Sequence, residues 1–129
     1  MSIIGNFGST SQIIANNARN GYYLFSKGAL KSFNSRVHDV VYGNCVFVTS
    51  EKNDMPYCAP QPRVYTVRIA MADGCIETYG NMGDYATRAQ AHRQAEWLGN
   101  ALKDGTVAYN LNTYKFESVE LLASSRFIH

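Results

Sequence analysis

At 129 residues, 46% of them hydrophobic and 17% charged, the chain fits one globular domain with a core large enough to fold unaided, and two domains would be cramped. A net charge of +2 is too small to argue for nucleic acid by itself, and no apolar run approaches the length of a membrane span, so a partner in the membrane is not expected. Cys45, Cys58 and Cys75 form no CxxC pair and have no histidine at metal-ligand spacing, which points to a reduced, cytoplasmic protein whose cysteines are small hydrophobes rather than nucleophiles.

Charge is unevenly placed along the chain. Arg19, Lys27, Lys31 and Arg36 have no acidic residue among them before Asp39, so the first 38 residues carry +4 and the remainder −2. Any phosphate-facing surface would most simply use those four side chains.

Residues 1–8 are Gly-rich and polar around Ile3, Ile4 and Phe7, and read as a loosely held arm. Ser9 and Gln12 have capping-box spacing, Ile13, Ile14 and Ala18 form a narrow apolar side, and Asn20-Gly21 supplies a stop, which together predict a short helix. Ser26 begins a second, with Leu30 placed to staple against Phe25 and with Lys27 and Lys31 stacked four apart. Residues 40–50, VVYGNCVFVTS, hold two β-type runs around Gly43-Asn44, a two-residue hairpin signal. Both faces of the second run are largely apolar, so it is expected to be a central strand. His38-Asp39 just before it reads as a buried or capping histidine, since no motif places a nucleophile nearby.

Residues 51–62, EKNDMPYCAPQP, contain every proline of the chain and no periodicity. They are expected to form a long loop that presents Met55 and Tyr57 to a partner, preorganised by the prolines. Two β-type runs then flank Asp73-Gly74. A two-residue type I′ turn there sets Ala72 opposite Cys75, Met71 opposite Ile76, Ile69 opposite Thr78 and Arg68 opposite Tyr79. In that register Val67, Ile69, Met71 and Ile76 form the core face. Thr66, Arg68, Glu77 and Tyr79 form an open face suited to contact with a partner or a second copy of the chain.

Thr87 and Gln90 repeat the capping-box spacing before the longest helix, which should run to about Lys103 and stop at Gly105. Ala91, Ala95, Leu98 and Leu102 line its apolar stripe, with His92–Glu96 and Arg93–Trp97 as solvated pairs beside it. Trp97, off the stripe, needs cover from Tyr109, Leu111 or Phe116, or from a partner. Residues 106–116 read as a strand, and 117–124 as a last helix or an edge strand, with helix preferred.

The fold class expected is α+β: one domain with an antiparallel sheet of three to four strands, helices on one face, and the order α-α-β-β-β-β-α followed by a C-terminal strand or helix. The chain has no Walker loop, dinucleotide fingerprint, GxSxG elbow or HExxH, so no enzyme activity, catalytic residue, metal or cofactor is expected.

The order of elements is similar to that of double-stranded-RNA-binding domains, although the last helix opens with Arg88 and Arg93 and lacks a lysine-rich start. The runs FSKGALKSFNSRV, VFVTSEK, RVYTVRI and YATRAQAH, within residues 25–98, resemble a small domain of uncharacterised bacteriophage proteins. That resemblance implies a non-catalytic accessory or counter-defence protein that binds and inhibits a host macromolecule, a host protein above all, in the host cytoplasm. Arg68, Tyr79, Glu77, Met55, Tyr57 and Trp97 are its candidate contacts. Two alternatives stand beside it: a nucleic-acid-binding module using Arg19, Lys27, Lys31 and Arg36, and a homo-oligomeric sponge for a small nucleotide signal.

Overall fold

Ser9, Ser26 and Thr87 each accept a hydrogen bond from the backbone N–H three residues on, at 3.3, 3.2 and 3.2 Å, and the three helices start at those caps. They are α1 (Thr10–Arg19), α2 (Lys27–Ser32) and α3 (Arg88–Asp104). Gly105, at φ 78°, ends α3 in the left-handed conformation. These elements belong to a computed structural model that describes residues 3–54 and 61–119.

Between α2 and α3 lies a four-stranded antiparallel sheet in the order β1-β2-β3-β4, made of β1 (Ser35–Val37), β2 (Val46–Lys52), β3 (Arg63–Ala70) and β4 (Ile76–Tyr79). A second sheet pairs β5 (Val107–Asn110) with β6 (Lys115–Ser118). The chain is thus a single small α+β domain with the expected element order. Gly43 and Asn44, at φ 57° and 64°, turn the chain before β2, but Tyr42 pairs with Val46 through bonds of 2.7 and 2.9 Å, so Gly43, Asn44 and Cys45 form a three-residue loop in place of the expected two-residue turn.

The central strands are covered on both sides, which explains why β2 reads apolar on both faces. On one face Val46, Val48, Val67 and Ile69 pack under Ala91, Ala95 and Leu98 of α3 and against Val107 and Tyr109. On the other, Phe47 and Ala70 meet Ile13 of α1 and Phe25 ahead of α2, with Leu30 beside them as the staple predicts. The helices are therefore divided between the two faces. Each large aliphatic or aromatic side chain withdrawn from water here contributes about 1.5–3 kcal/mol.

The turn between β3 and β4 corrects the predicted register. Met71 N–H bonds Cys75 O at 2.9 Å and Gly74 N–H bonds Met71 O at 3.2 Å, so Ala72, Asp73 and Gly74 form a three-residue loop. Gly74 sits at φ 94°, the left-handed position that a bulged hairpin of this kind requires. One added residue slides the pairing by one, giving Arg68↔Thr78, Ile69↔Glu77 and Val67↔Tyr79. A one-residue slip turns every β4 side chain over. Tyr79 and Glu77 thus lie on the α3 side, and Ile76 joins the cluster under α1.

Three further expectations are revised. The N-terminal arm is tied down: Gly5 N–H bonds Ala70 O, Ala72 N–H bonds Ile3 O and Phe7 N–H bonds Asn44 O, at 2.7–2.9 Å. β2 runs on through Glu51 and Lys52, with Lys52 opposite Arg63, so the connection begins at Asn53. Glu117 and Ser118, expected to open a helix, belong to β6.

Candidate functional site

β3 carries Arg68 on the face that α1 and α2 cover, and the side chain is only 7% exposed. Three neighbours use its donors. Arg68 Nε donates to Thr49 Oγ1 at 3.0 Å, Nη1 to Thr78 Oγ1 at 2.9 Å, and Nη2 to Glu51 Oε1 at 3.1 Å. Its guanidinium carbon also lies 5.6 Å from the centre of the Phe25 ring. Glu51 accepts in addition from Thr49 Oγ1 at 2.7 Å and Thr66 Oγ1 at 2.9 Å. A buried pair satisfied in this way orients and rigidifies its surroundings.

This pair forms the floor of a cleft of about 280 Å³. Its rim is apolar: Leu24, Phe33 and Met82 line it and are 42%, 72% and 67% exposed. Each is positioned by backbone chemistry. Leu24 N–H donates to Asn17 Oδ1 at 2.8 Å, while Asn17 Nδ2 donates to Gly74 O at 2.7 Å, which straps α1 across the sheet to the β3–β4 turn. Phe33 caps the end of α2 just before Asn34, whose φ of 50° turns the chain into β1. Met82 precedes Gly83, whose N–H donates to Thr66 Oγ1 at 2.9 Å and so joins the same polar network. Lys52 and Asp54 flank the opening.

Of the sequence-predicted contacts among the described residues, only Arg68 lies in this cleft. Glu77 and Tyr79 line a separate groove with Tyr114, Lys115 and Phe116, and burial pushes the Tyr79 hydroxyl pKa up. Trp97 stands 51% exposed on α3, without the cover expected from Tyr109 and Phe116, whose rings instead pack on each other at 4.9 Å. Met55 and Tyr57 lie outside the described residues. Among the basic residues, Lys27 and Lys31 share α2, while Arg36 on the neighbouring β1 stands on the other face of the sheet, as its pairing with Ser50 and that of Ser50 with Tyr65 require. Arg19 is apart, at the far end of α1, bonded to Asn16 Oδ1 at 3.3 Å.

Sequence reasoning missed Leu24, Phe33 and Met82. Phe33 shares a helix side with Leu30, and nothing local reveals that α2 ends before it can be buried. It also paired His92 with solvent; His92 instead bonds His38 and Tyr42, each at 2.8 Å.

These features define a small α+β protein with a doubly covered sheet and an apolar-rimmed cleft over a buried ion pair. The chain belongs to a family of unknown function, DUF7447, whose profile matches residues 9–96, from α1 to the first half of α3. No curated protein and no solved structure matches the chain.

Proposed function

We propose that this protein is a non-catalytic binding module, a phage-type accessory or counter-defence protein that engages a host protein through the cleft above Arg68 and Glu51. The observation that carries the reading is the ring of Leu24, Phe33 and Met82, large apolar side chains held exposed around a fixed charge pair. Interfaces draw their energy from such anchors when a partner desolvates them, and the satisfied pair beneath supplies direction without a catalytic proton. Host lysate passed over the immobilised protein after nuclease treatment tests this. A protein retained by the wild type and lost by Phe33→Ser/Met82→Ser, with the melting temperature unchanged, supports the reading; equal retention by both removes the cleft.

The runner-up is nucleic-acid binding, favoured by Lys27 and Lys31, four apart on α2. It calls for a gel shift that weakens steeply with salt. No shift at low salt would leave those side chains as a solvated face.

A further inference from the structure

The opposite face of the sheet gathers basic side chains that sequence spacing does not connect. Arg36 pairs with Ser50, and Ser50 with Tyr65, so these three stand on one face. Alternation places His38, two residues along the chain from Arg36, and Arg63, two back from Tyr65, on that same face. His38 is kept in line by its N–H on Val48 O at 2.9 Å. α3 packs over this side and brings His92 and, one turn earlier, Arg88.

The two imidazoles meet end on. His38 Nδ1 lies 2.8 Å from His92 Nε2, the ring planes differ by 22°, and the centroids are 5.0 Å apart. That separation is the N···N distance plus the two ring radii, so the rings are joined through an N–H···N bond rather than stacked face to face. Tyr42 OH, 2.8 Å from His92 Nδ1, closes the inner end of the chain. If Tyr42 donates, His92 donates to His38, and His38 Nε2 carries a hydrogen outward.

The arginines gathered on this face lack carboxylate partners among the described residues: the ion pair there is Arg68–Glu51, which leaves out Arg36, Arg63 and Arg88. Among the described residues Arg63 is anchored by neutral groups, through Ser50 Oγ, Ser50 O and Asn34 at 2.8–3.1 Å. Burial and the proximity of His92, Arg88 and Arg63 hold the His38 pKa down, against a smaller opposing influence from Glu51. Arg88 also bears on His92, and both Arg88 and Glu96 on Tyr42. The Tyr65 ring lies nearly perpendicular to that of His38, with the centroids 5.6 Å apart.

We infer that His38 Nε2, Arg88 and the fixed charge of Arg63 form a binding site for a phosphate group. A tetrahedral dianion suits two guanidinium charges and an imidazole N–H better than any group the chain itself provides there. Binding selects the arrangement in which Tyr42 donates inward and His38 donates outward. The site is on the other face of the sheet from the Arg68 cleft and stands independently of it.

NMR of the histidine imidazoles at constant ionic strength provides the test, with inorganic phosphate in one arm and an oligothymidylate lacking terminal phosphates in the other. Expected are saturable shifts of the His38 and His92 signals, a rise in the titration midpoint of His38, and roughly tenfold weaker binding in Arg88→Gln. Arg88 is exposed, so that variant keeps the fold. Phosphate alone acting assigns the site to a small phosphate compound, and the oligonucleotide acting more strongly assigns it to a nucleic-acid backbone. Absence of shifts in both arms, shifts reproduced by chloride, or unchanged affinity in Arg88→Gln would overturn the site.

Discussion

Gly43 and Gly99 meet backbone to backbone where the turn before β2 crosses α3. A Cβ on Gly43 would overlap Gly99 O, and one on Gly99 would lie 2.6 Å from the carbonyl carbon of Tyr42. Main chain cannot move aside as a flexible side chain can.

Gly99→Ala is therefore expected to destabilise the protein by about 1–3 kcal/mol although Ala is the better helix former. Urea denaturation checks this. A gain in stability, as intrinsic propensity alone would give, would show that the crossing is looser than described.

The Arg68–Glu51 pair should behave as a unit. Arg68→Met leaves Glu51 as an uncompensated charge at a side-chain exposure of 13%, a change that costs about 3–5 kcal/mol for buried pairs. Arg68→Met/Glu51→Leu should recover a large part of that loss, since no charge then remains under α2. Equal, additive losses in a double-mutant cycle would mean that the two side chains are energetically independent.

Stability should also depend on pH through the histidine chain. Burial, then His92 and the nearby arginines, lower the His38 pKa from 6.5 to about 4, and burial and Arg88 lower that of His92. Folded-state values below the unfolded ones mean that the unfolded chain binds more protons between them. The contribution is thus complete above pH 6.5, declines as pH falls toward 4, and changes little below that. Melting temperatures of wild type and His38→Gln across pH 4–7 should diverge in slope over this window, and parallel curves would refute the assignment.

Burial raises the Cys45 thiol pKa to about 12. Thiolate is the reactive species, so alkylation at Cys45 near neutral pH should require global unfolding. Peptide mapping after brief iodoacetamide treatment should find Cys45 unmodified in the folded protein and modified in urea. Rapid labelling of the folded state would contradict the packing of the turn against α3.

What could be read from the residues in order was whatever is decided within a few positions. The serine and threonine caps act on the N–H three residues on, and Gly43-Asn44 marks where the chain turns, though the loop there is one residue longer than the dipeptide. Asp73-Gly74 illustrates the limit, because the same dipeptide serves a two-residue or a three-residue loop. The choice of the longer loop inverted β4 and removed Tyr79 from the face shared with Arg68. Contacts that join remote segments were illegible: Asn17 to Gly74 spans 57 positions and His38 to His92 spans 54. Nor does composition reveal which aromatic side chains stay outside: Phe33 is exposed although it shares a helix side with Leu30, and Trp97 lacks the cover expected from its own chain.

The division of the apolar interior by the sheet has a dynamic consequence. The cluster under α1 and α2 is the smaller of the two, resting on Ile13, Phe25, Phe47 and Ala70, while α3 and β5 cover the other side. The N-terminal helices can therefore lift away as a sub-global opening that wets Phe47 and Arg68 while the α3 side of the sheet remains packed. Amide hydrogens of α1 and α2 should exchange through that lower-energy route, whereas those at the centre of β2 and β3 wait for the whole molecule to unfold.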